Sequence, residues 1–269
     1  MIERAPAKVN LVLRVGPPRP DGLHELASLF ASLDLADQLE LEEAERDEVI
    51  CRGVDGDNLA ARALAAFRAA GGEPPPLRVT IDKRIPVAAG LGGGSADAAA
   101  VLRGAQRLSP IDEAALAGVA AELGSDVPSQ IRPGHAIVSG FGERVEPVPL
   151  PPMTLVLVPD TEGLSTAEVY TELDRLRPRA PEPDPAPLHE LITRPRAEIV
   201  AAMANDLERA ALTLRPGLEG TKGLLAAAGA RNSLISGSGP TVVGVFFGRV
   251  EADEAASRFS QAIVTELAP

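Results

Sequence analysis

The chain has 269 residues, enough for one large domain or two modest ones, and its 45% hydrophobic and 24% charged residues exclude wholesale disorder. A formal net charge of −12 excludes a broad nucleic-acid surface, which needs many phosphate-neutralising cations, but it leaves room for a small anion held by a few lysines and backbone N–H groups. A single cysteine, Cys51, excludes an intrachain disulfide and suits a reducing, cytoplasmic setting. No apolar run approaches the roughly 18 residues of a membrane span, and the opening MIERAPAKVNL does not read as a signal peptide.

In chain order, Ala7–Val15 is rich in Val and Leu and reads as a strand, followed by turn chemistry at Pro17–Gly22. Ala27–Leu35 and Asp37–Glu42 read as two further strands, the second with one wet face. Asn58–Ala70 has helical spacing, with Asn58 as N-cap and Gly71-Gly72 as stop. Leu77–Ile81 is a strand that leads through Asp82–Pro86 into a glycine-rich loop. Ser95–Leu108 follows as an Ala-rich helix, with Ser95 as its cap and Asp97 in its first turn. Asp112–Leu123 is a helix stopped by Gly124, and Ala136–Ser139 is a strand. PVPLPP at 147–152 marks a boundary, giving expected domains 1–150 and 151–269. Beyond it, Leu155–Val158 is a buried strand and Thr166–Leu176 a helix, and the Pro-rich Arg179–Leu188 is an extended, mobile loop. Helices follow near Ala197–Ala202 and Leu218–Ala228, then strands at Ser233–Ile235 and Thr241–Phe247, then a final helix over Ala252–Leu267. Strands and helices mix without a steady βαβ rhythm, so the expected class is α+β.

The loop Pro86–Ala96 (PVAAGLGGGSA) carries the chemistry. Its glycines let backbone approach a phosphate, and the helix behind it points free N–H groups and a partial positive charge at the same place. It lacks the Lys of a Walker A loop, and a dinucleotide G-x-G-x-x-G starting at Gly90 meets Ser95 where its last glycine belongs. A flexible linker is the plain alternative, but a linker does not run straight into a capped apolar helix. Lys8 lies in an apolar strand and needs a carboxylate or a ligand if buried. Asn10, two residues on, leaves the same strand face. Asp126, just past Gly124 and ahead of Pro128, is on position alone an N-cap carboxylate.

Three segments in order, APAKVNL at 5–11, PVAAGLGGGSADA at 86–98 and ISGSGPTV at 235–242, resemble the GHMP kinases. DGLHEL at 21–26, LGSDVP at 123–128, STAEVY at 165–170 and NDLE at 205–208 resemble the branch that phosphorylates the 2-hydroxyl of 4-diphosphocytidyl-2-C-methyl-D-erythritol on the non-mevalonate route to isoprenoids. The resemblance implies an N-terminal domain like the second domain of ribosomal protein S5 and a ferredoxin-like C-terminal domain. It implies ATP and Mg²⁺, a small-molecule substrate, and a monomer or weak homodimer without membrane or nucleic-acid partners.

By resemblance, Asp126 is the catalytic base, Lys8 its partner and Asn10 a substrate contact. Asn58, Leu59 and Lys83 lie by the adenine. Pro86, Val87, Ala88, Ala89, Gly90, Leu91, Gly92, Gly93, Gly94, Ser95 and Ala96 hold the phosphates. Leu23, His24, Thr166 and Tyr170 lie by the substrate, with His24 on the cytosine and the Gly237–Thr241 turn across the cleft from the loop. No structural metal site is expected. Several positions depart from the pattern. Leu23 replaces a usual Tyr, Ala88 and Ala89 stand where glycine is frequent, Ala96 replaces a second Ser, and Ser129-Gln130 replaces an apolar pair. Two other readings stay open, a homoserine- or mevalonate-type GHMP kinase and a fold relative that binds without catalysis.

Overall fold

The computed structural model describes residues 1–53, 58–160 and 162–268. In chain order the elements are β1 (Ile2–Pro18), β2 (His24–Glu43), β3 (Glu48–Cys51), α1 (Leu59–Ala69), β4 (Leu77–Asp82), α2 (Gly93–Leu108), α3 (Glu113–Leu123), α4 (Val127–Ile131), β5 (Ala136–Gly140) and β6 (Arg144–Pro147). There follow β7 (Thr154–Val158), α5 (Thr166–Leu176), α6 (Ala186–Leu191), α7 (Arg196–Ala201), β8 (Ala204–Asn205), α8 (Glu208–Leu214), α9 (Gly217–Ala227), β9 (Asn232–Ile235), β10 (Val242–Phe246), α10 (Arg249–Ala256) and β11 (Ile263–Glu266).

Among the described residues these strands form two sheets. One runs β3-β4-β2-β1-β8, with β5 also on β2 and β6 on β5; the other runs β11-β7-β10-β9. β2 is one long strand rather than the two expected, because its first half pairs with β5 and its second half with β4 while β1 runs along most of it. The break suggested by Asp34–Asp37 is a change of neighbour on one continuous strand. The expected terminal helix ends at Ala256, and Ile263–Glu266 instead forms an edge strand against β7. β-branched Ile263, Val264 and Thr265 favour the pleated surface over a continued helix. The Pro-rich segment is extended only to Pro185; from Ala186 it is helical, and Pro183 packs on Gly16 of β1.

Apolar side chains of β1 and β2, among them Val9, Leu11 and Leu29, meet Leu155 and Leu157 of β7 and Val243 of β10 in one core, which also takes in Ile85 and Leu91 of the glycine loop. A second core packs α1, α2 and α3 on the β2–β4 part of the first sheet, with Phe67, Leu64 and Leu102 fully buried or nearly so. A third covers the second sheet with α5, α8, α9 and α10. Each fully buried Leu or Phe contributes about 1.5–3 kcal/mol. The glycine loop is thus anchored by the apolar side chains of Ile85, Ala89 and Leu91, and among its glycines Gly94 is the one with open space around it. No helix among the described residues is long and apolar enough to cross a membrane.

Candidate active site

Residues from β1, the glycine loop, α2, the α3–α4 junction, α5 and the turn after β9 line one cleft of about 430 Å³. On β1 the pairing with β2 shifts register on both sides of Lys8–Asn10. Bulges of this kind re-aim side chains. Here the Lys8 backbone N–H donates to Leu91 O of the loop at 3.0 Å. Lys8 Nζ then lies 2.9 Å from Asn10 Oδ1, 3.1 Å from Asp126 Oδ2 and 4.7 Å from the centre of the Phe30 ring. Asn10 is held in turn by Ser28, to whose Oγ its Nδ2 donates at 2.8 Å, and Ser28 Oγ donates to Val12 O at 2.7 Å. Lys8 and Asn10 do share a face, as their spacing requires, and the Asn10 amide is occupied in orienting the ammonium.

Asp126 occupies the position before α4 but makes no cap bond with its side chain. Its carboxylate faces Lys8 instead. Ser129, in place of an apolar residue, donates its hydroxyl to Asp126 O at 2.8 Å and fixes the backbone there. The side chains of Lys8 and Asp126 are 7% and 30% exposed, so the ammonium is buried while the carboxylate reaches the cleft. Tyr170 lines the same cleft; burial, together with the negative charge of Asp126, pushes its phenol up to about 12.

The loop enters α2 through Gly92, whose φ of +70° places it in the left-handed region. The helix therefore starts at Gly93, and Ser95 sits inside the first turn rather than capping it. Gly92 takes the cap position because the chain must reverse there against Lys8, where a Cβ would come within 2.8 Å of Lys8 Cγ. Ala88 has φ +55° and bears the strain of a Cβ in that region, at one of the two positions where glycine is frequent. Pro86 through Ser95 line the cleft, but Ala96 does not. Its methyl is fully buried in the α2 core, and its N–H donates to Gly92 O. It offers neither a side chain nor a free donor to a phosphate.

Asn58 caps α1, accepting from Ala60 N at 2.9 Å, and with Leu59 and Cys51 lines the far end of the cleft. Lys83 belongs there too, but its Nζ is held by two carboxylates, Asp37 at 2.5 Å and Asp97 at 2.8 Å. Asp37 also accepts from Arg84 N and Ile85 N, which turns the chain into the loop. Asp97 Oδ1 is buried without a hydrogen-bond partner among the described residues. Burial raises the Asp97 carboxyl to about 7 against the opposing pull of Lys83. The folded protein therefore binds a proton that the unfolded chain has released between pH 4 and 7, and the stability due to this group is lost as pH rises through 7. Asp97→Asn is expected to gain on wild type between pH 5 and pH 8, measured by urea denaturation at each; a gain confined to pH 5 contradicts the sign.

His24 and Leu23 do not line the cleft. His24 is packed beneath Tyr170, ring centres 5.0 Å apart, with Nδ1–H donating to Gly16 O at 2.9 Å and Nε2 lying 3.5 Å from Asp174 Oδ2. Leu23 is 55% exposed beside it. Thr166 shares a 2.9 Å hydroxyl hydrogen bond with Ser238 and joins α5 to the turn after β9. That turn touches the glycine loop, Ser236 Oγ donating to Gly90 O at 2.9 Å. Asp37 and Ser28 were not expected at the site from the sequence, whereas Ser238 lies in the Gly237–Thr241 turn expected across the cleft. Asp37 stands among other acids, Asp34, Glu40, Glu42 and Glu43, so neither it nor Ser28 carried a signal apart from its three-dimensional partners.

The site is therefore a glycine-rich backbone loop at a helix N-terminus beside a buried ammonium and a half-open carboxylate. Family models for the GHMP kinases N terminal domain and the GHMP kinases C terminal match residues 58–135 and 187–264. A 4-diphosphocytidyl-2-C-methyl-D-erythritol kinase of Anaeromyxobacter sp. (strain Fw109-5) is 47% identical, the match spanning 97% of this chain and 87% of that one. The chain belongs to the 4-diphosphocytidyl-2-C-methyl-D-erythritol kinase family of GHMP kinases. A crystal structure of a 4-(cytidine 5'-diphospho)-2C-methyl-D-erythritol kinase superposes over 100% of both chains with TM-score 0.83 and 37% identity. Homoserine kinase from Cytophaga hutchinsonii shares the fold at TM-score 0.66, with 16% identity over 99% of this chain and 94% of its own.

Proposed function

We propose that this protein transfers the γ-phosphoryl group of ATP to the 2-hydroxyl of 4-diphosphocytidyl-2-C-methyl-D-erythritol, with Asp126 as base. The observation that carries the reading is the 3.1 Å Lys8–Asp126 pair beside the glycine loop in one cleft. Asp126 accepts the hydroxyl proton as the hydroxyl oxygen forms its bond to the γ-phosphorus and the bond to the departing ADP breaks. Lys8, fixed by Asn10 and Phe30, pairs with Asp126 and stabilises charge on the transferring group. N–H groups of the loop and of the α2 N-terminus hold the phosphates. Asn58 and Leu59 border the adenosine end, with Lys83 held by its two carboxylates behind the loop.

No group of three or more His, Cys, Asp or Glu that could hold a metal occurs among the described residues. Mg²⁺ on this reading is carried chiefly by phosphate oxygens and water, as is usual for nucleotide-borne Mg²⁺. Asp126 and the more deeply buried Asp97 both line the cleft among the described residues, and Asp126 is the one paired with Lys8. The metal would supply charge neutralisation on the phosphates. We further place the domain division near residue 150, between β6 of the first sheet and β7 of the second, and assign the protein to the cytoplasm.

The substrate's cytosine lies by Tyr170 on this reading, with His24 behind it as support. Leu23 offers a base face less than an aromatic would, because it lacks a π surface. Leu23→Tyr is expected to lower KM for the diphosphocytidyl substrate several-fold at unchanged kcat, measured by coupled ADP release. An unchanged KM places the base elsewhere. Parallel incubation with ATP, Mg²⁺ and the diphosphocytidyl substrate, homoserine or mevalonate tests the proposal: ADP release with the first alone is expected, and release with homoserine or mevalonate, or with none, contradicts it.

A further inference from the structure

The segment Asn205–Glu208 takes no part in the chemistry described so far, yet it is fastened on every side. β8 lies parallel to β1, pairing Val12 with Ala204 and Leu13 with Asn205. Asp206 N–H donates to Leu13 O, and the Asp206 carboxylate accepts from Val15 N at 3.0 Å. Glu208 accepts from Ile235 N at 2.9 Å at the end of β9. Between them, the buried Asn205 amide donates both hydrogens, to Ile235 O and Gly237 O, each at 2.7 Å, while its oxygen accepts from Leu207 N at 2.9 Å.

The second of these carbonyls begins the turn that walls the cleft. A Cβ on Gly237, where φ is +54°, would lie 3.5 Å from Asn10 Oδ1 and 3.8 Å from Lys8 Nζ. The turn is thus set directly against the Lys8 ammonium, and Asn205 ties it to the strand that carries Lys8. The chemistry of the position is restrictive. Two converging carbonyl oxygens need two hydrogens from one short planar group, which an amide supplies. A carboxylate would press charge onto both oxygens, and a methyl would leave them without their donor.

We propose that Asn205 is a positioning residue for phosphoryl transfer, holding the Gly237 turn against Lys8 so that the ammonium meets the transferring group in register. This rests on the reading of Lys8 and Asp126 given above. Misplacement of a catalytic group by about 1 Å can cost about 10²-fold in rate, so a lost tether appears in kcat. Nucleotide and substrate are gripped mainly by other elements, so their binding changes little.

The test is steady-state kinetics of Asn205→Ala and Asn205→Asp with ATP and the diphosphocytidyl substrate, with ADP affinity measured by calorimetry. The expected result is a kcat lower by about 10–100-fold, with KM and ADP affinity within about 3-fold of wild type. In a Lys8→Met background, Asn205→Ala is expected to lower the residual rate no further, because it acts through Lys8. A purely structural role lowers the rate by the same factor in both backgrounds, and that result overturns the proposal. So does an unaltered kcat in Asn205→Ala. If Asn205→Ala does not fold, Asn205→Ser, which keeps one donor, carries the same comparison. A wild-type protein that binds ADP but transfers no phosphate overturns the catalytic reading and this proposal with it; an active wild type with an unaffected variant overturns this proposal alone.

Discussion

Asp126→Ala is expected to lower turnover by about 10³-fold or more while leaving affinity for a non-hydrolysable ATP analogue within about 3-fold, because a positioned general base contributes about 10²–10⁴-fold and the phosphates are held elsewhere. The carboxylate stands between the end of α3 and the start of α4, bonded to no cap donor and aimed at Lys8. Asp126→Asn is the sharper variant, since it keeps the shape and loses the basicity; it is expected to lose as much. The fold should survive both changes. Lys8 keeps the Asn10 oxygen and the Phe30 ring after Asp126 is removed, so the stability cost is about 1–2 kcal/mol, below the 3–5 kcal/mol typical when a buried charge is left uncompensated. Stopped turnover with intact nucleotide binding and a cooperative unfolding curve is the expected set of results. Wild-type-like turnover in Asp126→Asn removes the base from the mechanism.

Gly90→Ala is expected to be the most damaging small substitution in the loop. Gly90 has φ +73°, and a Cβ there would lie 2.5 Å from Ser236 O and 2.7 Å from Gly239 O. Both neighbours are backbone, so no side chain can swing aside. A left-handed alanine costs about 1–2 kcal/mol by itself, and the clash forces the glycine loop from the turn after β9, breaking the Ser236–Gly90 hydrogen bond. A total loss of about 3 kcal/mol in urea denaturation is expected, with kcat/KM down by about 10²-fold. Gly94→Ala is the control: nothing lies within 4 Å of the added Cβ and the residue is already helical. It should leave stability unchanged or raise it by up to about 1 kcal/mol. Equal damage at both positions contradicts the contact between loop and turn.

Much of this was legible from local chemistry. Asn58 announces the start of α1, and Leu77–Ile81 running into the glycines announces the strand–loop–helix unit. Lys8 and Asn10 are two apart on a strand, which is enough to put their side chains together. The strand pattern could not show that Asp34–Asp37 is a change of partner within one strand, because pairing is not encoded in local alternation. The Ala-rich stretch after Ala252 continued a helical period past the point where β-branched residues meet an open sheet edge. Ser95 looked like a cap because hydroxyls often cap helices, but the chain reverses one glycine turn earlier, where Gly92 alone fits against Lys8. The Asp37–Lys83–Asp97 cluster draws on residues 46 and 14 positions apart, and no spacing rule joins them. The Asn205 clamp was visible only as a family signature; its hydrogen bonds to Ile235 and Gly237 give that signature a physical content.

The central claim, transfer to one hydroxyl of one substrate at the Lys8–Asp126 pair, is tested most directly by incubating the purified protein with ATP, Mg²⁺ and, in parallel, 4-diphosphocytidyl-2-C-methyl-D-erythritol, homoserine or mevalonate. Phosphorus NMR then locates the new phosphate. The expected result is stoichiometric ADP and a single new phosphomonoester on the 2-hydroxyl of the diphosphocytidyl substrate, with background ADP from the other two. A phosphomonoester on homoserine or mevalonate, or no product from any of the three, contradicts the account.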